Sequence, residues 1–225
     1  MTVFFHQVPA VRVAIAHAVE EARAAKQADP LAPITFLLPR REDAAPVRRA
    51  LGDVMGVTML QFYGLGERIL DEAGSPVREL DDLAARRLVR QCLDDMAVAN
   101  ELSTFATVVD KPGFIRLLVA WLREMKAQAI TPEMVTADAD RSGRRRDRQL
   151  AGLYWRYQTF LIENDYSDGE GLLWLAAEEL EDKPALLARL GSLHVIGFDR
   201  FSPVQERVLA ALAGRIDSLT LYLLW

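Results

Sequence analysis

Apolar positions in residues 1–70 fall into two alternating patterns, short continuous runs and stripes at helical spacing. Val3 to Phe5, Ile34 to Leu38 and Val57 to Phe62 are runs of strand length. Val11, Ile15, Ala18, Val19 and Ala22 instead recur with the period of one helix face. Pro39 ends the second run, a helix is expected from about Asp43, and LGERIL starts another. The alternation returns in residues 191–225, where Leu193, Val195 and Ile196 stop at Gly197 and are followed by the amphipathic VQERVLAALAGRI and the run LTLYLLW. Strand, helix, strand in repetition predicts right-handed βαβ units and hence a parallel sheet. The chain closes on an apolar strand without a covering helix, which implies that the natural protein continues past residue 225.

Residues 71–190 carry a different pattern, almost purely helical. Leu88, Val89, Cys92, Leu93 and Met96 form one stripe; Phe114, Leu117, Leu118, Trp121, Leu122 and Met125 a second; Leu150, Leu153, Tyr154, Tyr157 and Leu161 a third. Aromatics at that spacing among leucines read as core rather than as base-stacking platforms. Asp110 before Lys111-Pro112 and Thr131 before Pro132-Glu133 have the form of helix starts, and Ser167 with Glu170 that of a capping box, which makes Asp168 a first-turn acid. The predicted organisation is an α/β domain over 1–70 and 191–225, interrupted by an all-helical insertion over 71–190.

Composition narrows the classes. Half the chain is apolar (51%) and 26% charged, enough for a sizeable core and against disorder. No apolar run approaches the roughly 18 residues of a membrane span, and the amino terminus lacks the pattern of a secretory signal, so a cytoplasmic protein away from membranes is expected. Net charge is −5, so contact with nucleic acid would have to come from local basic patches. The single cysteine, Cys92, sits on an apolar stripe and reads as a core residue; His6, His17 and His194 have no metal-ligand spacing, so no metal is expected.

In a parallel sheet, ligands bind beyond the carboxyl ends of the strands. A nucleotide would need glycines and a lysine in the turn after the first strand, and carboxylates at Gly197 to Pro203. The turn is His6-Gln7-Val8-Pro9-Ala10, with no glycine before Gly52, and Pro9 removes an amide donor. Two arginine pairs follow the second strand, Arg40 with Arg41 and Arg48 with Arg49. They form either a phosphate-contacting edge or a solvated, ion-paired helix face. The run RSGRRRDRQ, with Arg141, Arg144, Arg145, Arg146 and Arg148, leaves the same two readings open. Glu124-Met125-Lys126 and Glu181-Asp182-Lys183 have the form of nuclease triplets, but they lie in helical pattern, whereas metal-dependent nucleases converge their acids on strands.

Taken in order, ITFLLPRREDAAPVRRAL, MLQFYGLGERIL, YWRYQTFLIENDYSD and HVIGFDRFSPVQ resemble the amino-terminal portion of superfamily 1 helicases, and within them the B subunit of AddAB-type helicase–nucleases. That resemblance implies a P-loop-NTPase-like fold of the helicase 1A kind with a helical 1B-like insertion. It places a DNA-contacting segment at ITFLLPRRED and another at QFYGL, where Gln61 and Tyr63 stand for the usual Thr and His. Aligned on Ser202 to Gln205, the magnesium-motif acids fall at Ile196 and Gly197, and Asp199 is displaced. With both halves of the nucleotide site degenerate, the expected protein has no cofactor and is itself non-catalytic. It would bind single-stranded or end-tailed DNA and dock to a motor subunit of a recombination or repair nuclease, the parent protein being an ATP-dependent nuclease subunit. The alternatives are an interaction scaffold without DNA affinity and an ATPase with an unorthodox site.

Overall fold

The computed structural model describes residues 2–183 and 190–224. Two compact units divide the chain: Met1–Ser75 with Leu175–Trp225, and Pro76–Trp174. Among the described residues no helix is long and apolar enough to cross a membrane.

The first unit is α/β. Its strands are β1 (Thr2–Val8), β2 (Ile34–Leu37), β3 (Val57–Leu60), β6 (Ser192–Ile196) and β7 (Ser218–Leu224), joined side by side in the order β1-β7-β6-β2-β3. Every pairing is parallel. A parallel α/β sheet is what the alternating runs and stripes predict, and the arrangement is consistent with a Rossmann- or P-loop-like fold. β1 reaches Val8 rather than Phe5 because its ladder with β7 continues through His6↔Tyr222 to Val8↔Leu224. β3 stops at Leu60, and Phe62 opens α3 (Phe62–Ala73). One face of the sheet presents Val8, Ile34, Phe36, Ile196 and Tyr222, covered by Ala14, Ala18 and Ala22 of α1 (Val11–Ala28) and by Val47 and Leu51 of α2 (Ala44–Leu51). Small residues on α1 let it lie close to the strands. The opposite face carries Leu193, Val195, Leu219 and Leu221, all buried. The right-handed crossover from β6 to β7 puts α9 (Pro203–Ala213) on that side. At one edge β1 has no outer neighbour among the described residues, and Phe4 and Phe5 are 46% and 67% exposed.

Polar groups are also built into the sheet. The neutral His194 imidazole, stacked on Phe36, donates from Nδ1 to Tyr222 Oη (3.2 Å), and that phenol donates to Glu21 Oε2 of α1 (3.1 Å). His6, stacked on Tyr222, reaches Glu21 Oε1 at 3.5 Å. Burial, with a smaller contribution from His6, pushes His194 down to about 4.

The second unit holds α4 (Asp82–Val98), α5 (Pro112–Ala127), α6 (Pro132–Ser142), α7 (Arg145–Glu163) and the start of α8 (Gly169–Asp182). All three predicted stripes contribute to its core, which includes Leu88, Leu118, Leu122, Leu153 and Tyr157, but Leu117 of the second stripe is a correction: it is exposed, and Ile115 and Val119 are buried on that helix instead. The expectation of an all-helical stretch over 71–190 is corrected by β4 (Arg78–Glu79) and β5 (Tyr166–Ser167), a two-residue parallel pair. Arg78 N donates to Asp165 O and Leu80 N to Ser167 O, both at 2.8 Å, and the Arg78 guanidinium lies 4.3 Å over the Tyr166 ring. So short a pair needs only backbone groups and leaves no periodic trace in the sequence. The parts of the expectation that fall on 184–189, and Trp225 of the last run, lie outside the described residues.

Thr131 caps α6 as predicted, accepting from Met134 N. Asp110 misses its expected role by one residue, since Lys111 is the cap residue of α5. The capping box at Ser167 is also displaced. Asp168 stands immediately before α8, and its Oδ1 accepts from Gly171 N at 2.9 Å. Both Asp168 oxygens take Lys126 Nζ at 3.0 Å, and Tyr157 Oη donates to Oδ2 at 3.0 Å. Lys126 has no exposed surface. Burial, opposed by the Asp168 charge, lowers its pKa. Glu170 Oε2 finds no hydrogen-bond partner among the described residues; burial and then the Asp168 charge push its carboxyl up.

Lys126→Met is expected to lower stability by roughly 3–5 kcal/mol, because it strands a buried carboxylate. Adding Asp168→Asn, which removes that charge and keeps a good cap, is expected to restore much of the loss in urea denaturation midpoints. A double variant no more stable than Lys126→Met would contradict this account. The unfolded chain takes up the His194 proton near pH 6.5, the folded one only near 4. The unfolded state therefore binds more protons in that window, and stability falls as pH drops through it, by about 3 kcal/mol in full. His194→Gln is expected to flatten this part of the stability-against-pH curve.

Candidate functional site

A parallel sheet brings all its strand carboxyl ends to one edge, and several of the sequence-predicted positions collect there. Pro9 follows β1, Arg40 and Arg41 follow β2, Gln61 follows β3 and stands just before α3 without a side-chain cap hydrogen bond, ahead of Tyr63, and Gly197 and Asp199 follow β6. From β2 the chain steps to β3 on one side, and from β6 to β7 on the other, so the crevice of the fold lies between the ends of β2 and β6.

Around Gly197 the neighbours are apolar. Gly197 has φ +84°, and a Cβ built there would meet Pro39 Cδ and Cγ at 3.5 Å and Val11 Cγ1 at 3.8 Å. A carboxylate side chain at this position would therefore be strained in its backbone and aimed at proline and valine. Ile196 beside it is fully buried. Beyond Gly197, Phe198 and Phe201 sit 5.2 Å apart and both pack edge-on against Phe62, at 5.3 and 6.1 Å. Asp199 and Arg200 point outward on the exposed part of the loop. Ser202 then accepts from Gln205 N, whose side chain accepts from Ser202 N, so the SPVQ run serves as the capping box of α9.

His6, Gln7 and Val8 are not turn residues, since the β1 ladder holds them in the sheet and leaves only Pro9 and Ala10 to turn. Ala10 offers no side-chain cap to α1. The turn after β1 brings no lysine for a terminal phosphate, and Ile196 and Gly197 bring no carboxylate for magnesium, so these positions do not fit a magnesium–nucleotide complex of the usual kind. Among the described residues no three His, Cys, Asp or Glu side chains form a group able to hold a metal ion.

The two arginine pairs separate. Arg40 precedes and Arg41 opens a single 3-10 turn (Arg41–Asp43), with Arg40 Nη1 3.6 Å from Glu42 Oε1 and Arg40 N donating to Asp43 Oδ2 at 3.1 Å. Arg48 and Arg49 occupy the last turn of α2, away from the carboxyl edge, because the helix runs back along the strands. All four are exposed.

Arg141, Arg144, Arg145, Arg146 and Arg148 belong to the second unit, at the junction of α6 and α7. Several are matched by acids: Arg141 by Asp138 (3.1 Å), Arg146 by Asp147 (3.1 Å) and Arg148 by Asp140 (3.8 Å). Arg144 and Arg145 have no ion pair among the described residues. Ser142 Oγ donates to Asp147 Oδ2 at 2.8 Å, and that bond, with the Arg146 contact, lowers the Asp147 pKa.

Sequence reasoning missed the Phe62–Phe198–Phe201 group, although two phenylalanines bracketing a short loop after a strand are a visible sign of an apolar strand end. It also gave no weight to Trp155, which is 49% exposed on α7, whereas Trp121 packs on Tyr154 and Tyr157 is buried.

Comparison with known proteins adds an independent line. A family model described as "ADDB, N-terminal" matches residues 19–225. A Moorella thermoacetica protein is 29% identical over 225 residues, covering 91% of this chain and 19% of that protein. One from Alkaliphilus metalliredigens is 26% identical over 197 residues, covering 85% and 17%, and one from Natranaerobius thermophilus 24% over 216 residues, covering 91% and 18%. Each is named as the B subunit of an ATP-dependent helicase/deoxyribonuclease. The chain spans about a fifth of the length of these curated relatives.

Proposed function

We propose, from the premise that this chain belongs to the ADDB N-terminal family, that it is a non-catalytic, helicase-like region of a helicase–nuclease subunit. In this role it contacts DNA and docks to a motor subunit during the processing of double-strand break ends in recombination and repair. The first unit is the counterpart of a superfamily 1 helicase 1A domain, and the second of an inserted 1B domain. The relatives, named as helicase/deoxyribonuclease B subunits, support a DNA substrate and a partner subunit.

One observation carries the non-catalytic part. The crevice where a motor would hold its nucleotide is lined by Pro39, Val11 and Gly197 and flanked by three phenylalanines. Phosphate transfer needs a phosphate cradle, a magnesium acid and a water-orienting group together, and the positions where the resemblance places the cradle and the magnesium acids, His6 to Ala10 and Ile196 with Gly197, carry neither. What remains useful there is cationic: Arg40 and Arg41 at the edge, beside Gln61 and Tyr63. Guanidinium groups suit phosphate oxygens and read no base, so DNA contact through them is weak and sequence-independent. The Arg141 to Arg148 cluster is a second anchor.

One set of contacts favours a scaffold without DNA affinity instead. Arg40, Arg141, Arg146 and Arg148 each have a carboxylate within 4 Å, which lowers the local excess of positive charge.

Two measurements decide between these readings. Titration calorimetry with magnesium-ATP is expected to give no binding heat, and a micromolar dissociation constant would overturn the non-catalytic reading. Fluorescence anisotropy with single-stranded and tailed DNA is expected to give dissociation constants of roughly 10⁻⁶ to 10⁻⁴ M at physiological salt, tightening as salt is lowered. Replacing Arg40, Arg41, Arg48 and Arg49 by Ala is expected to weaken binding alike for all sequences and to flatten the salt dependence, with Arg40 and Arg41 accounting for most of the loss. Absence of binding at low salt would favour the scaffold.

A further inference from the structure

Four arginines converge on one hollow between α4 and α5. These helices lie antiparallel, since Asp82 at the start of α4 takes Arg123 late in α5 (3.1 Å), and Arg90 further along α4 takes Asp110 just ahead of α5 (2.8 Å). The hollow, of about 260 Å³, is lined by Arg86, Arg87, Arg90, Pro112, Ile115 and Arg116. No acid belongs to that lining, although the chain as a whole carries a net charge of −5.

Two of the four arginines are engaged. Arg86 pairs with Asp82, a carboxylate it shares with Arg123, and Arg90 pairs with Asp110. Arg86 Nε nevertheless keeps a buried donor without a hydrogen-bond partner among the described residues. Arg87 and Arg116 are exposed and have no ion pair among the described residues. Arg116 folds back toward the start of its helix, where a Cβ built on Gly113 would meet its Nη2 at 3.9 Å. The first turn of α5 carries no acid, and its cap residue Lys111 makes no side-chain cap bond, so the positive end of the helix dipole adds to the same excess.

We propose that this hollow docks an acidic segment of a partner protein, with Arg87 and Arg116 taking a carboxylate and a neighbouring apolar side chain seated on Pro112 and Ile115. The proposal rests on the reading of the chain as a region that docks to a partner subunit, and names the surface and the chemistry of what it receives. Charge complementarity calls for an anion, and three observations favour a protein over a nucleic acid. The guanidinium groups converge on one hollow, whereas a phosphate chain spreads its charges evenly along a backbone. The floor is apolar, and exposed Leu83 stands one turn ahead of Arg87 on the same helix face, yet no aromatic ring lines the hollow for a base to stack on. Both engaged arginines already hold carboxylates, which the planar guanidinium fork matches.

Fluorescence anisotropy on the whole chain supplies the test, with a labelled peptide of repeating Asp-Asp-Leu as the probe. The parent chain is expected to bind it, more weakly as salt is raised. An Asn-Asn-Leu peptide is expected to bind about tenfold more weakly for want of charge, and an Asp-Asp-Ser peptide about tenfold more weakly for want of apolar burial. Arg87→Glu with Arg116→Glu is expected to lose at least about tenfold of the peptide affinity and to keep the parent's melting temperature. Arg12→Glu with Arg200→Glu, an equal change of charge at exposed positions of the first unit, is expected to leave peptide binding unchanged. A peptide that fails to bind at low salt, or that binds the Arg87→Glu, Arg116→Glu chain as it binds the parent, would overturn the proposal. So would an oligothymidylate of equal charge that displaces the peptide and loses affinity in the same variant, which would assign the hollow to nucleic acid. DNA binding through Arg40 and Arg41 is expected to survive that variant, so failure of this surface and failure of the DNA-contacting reading are told apart.

Discussion

The first unit depends on the position of β6. Ser192 to Ile196 lie between β2 and β7, with Leu37 paired to Val195 and Val195 to Leu221. Without β6, the strands from residues 2–60 cannot join into one sheet, since β1 meets the others only through β7. That contact closes a very long loop. Loop-closure entropy rises only as the logarithm of length, about 0.6 kcal/mol per doubling, so a substantial helical unit between β3 and β6 costs little once β6 is in place. Both faces of β6 are buried, which is what a central strand of a parallel sheet requires. At its start the backbone is crowded as well: Gly191 has φ +69°, and a Cβ there would come within 1.9 Å of Pro33 O. Only glycine fits.

The legible parts of the fold were those with periodic hydrophobicity. All five strands of the large sheet and the three helical stripes could be read because burial on two faces, or on one stripe, imposes a repeat on the sequence. β4 and β5 could not, because two residues make no period. The candidate site was legible in a negative sense. Missing glycines, lysine and acids show directly in HQVPA and at Ile196-Gly197. What occupies the space was not, because contact between Gly197, Pro39 and Val11 joins three separate crossovers. Arg48 and Arg49 illustrate another limit. Proximity to Arg40 in sequence suggested one basic edge, but the helix turns its last residues away from it.

Burial of charge follows different rules in the two units. Around Lys126 the ion pair is complete, with Asp168 also receiving Tyr157 and the Gly171 amide, so four donor contacts converge on one carboxylate. Such a group fixes α5, α7 and α8 in one register, a specificity that an apolar replacement need not give. In the sheet the solution is a chain of neutral donors, from His194 to Tyr222 to Glu21, ending on a carboxylate that reaches solvent. Cys92 belongs with these buried groups rather than with reactive thiols; burial and the charge of Asp95 raise its pKa to about 11, so it is a thiol at neutral pH.

The outer rim of β1 has a practical corollary. Seven residues, Thr2 to Val8, run without a lysine, glutamate or proline, and Phe4 and Phe5 stand exposed on opposite faces of the strand. Proteins usually blunt such a rim with charge or a break, since its unpaired amides and carbonyls accept any extended segment that arrives. Handled as an isolated polypeptide, this chain would therefore associate rim to rim as its concentration rises, a colloidal property independent of how firmly each copy is folded. A single lysine in place of Phe5 would be the smallest change able to keep such preparations monodisperse.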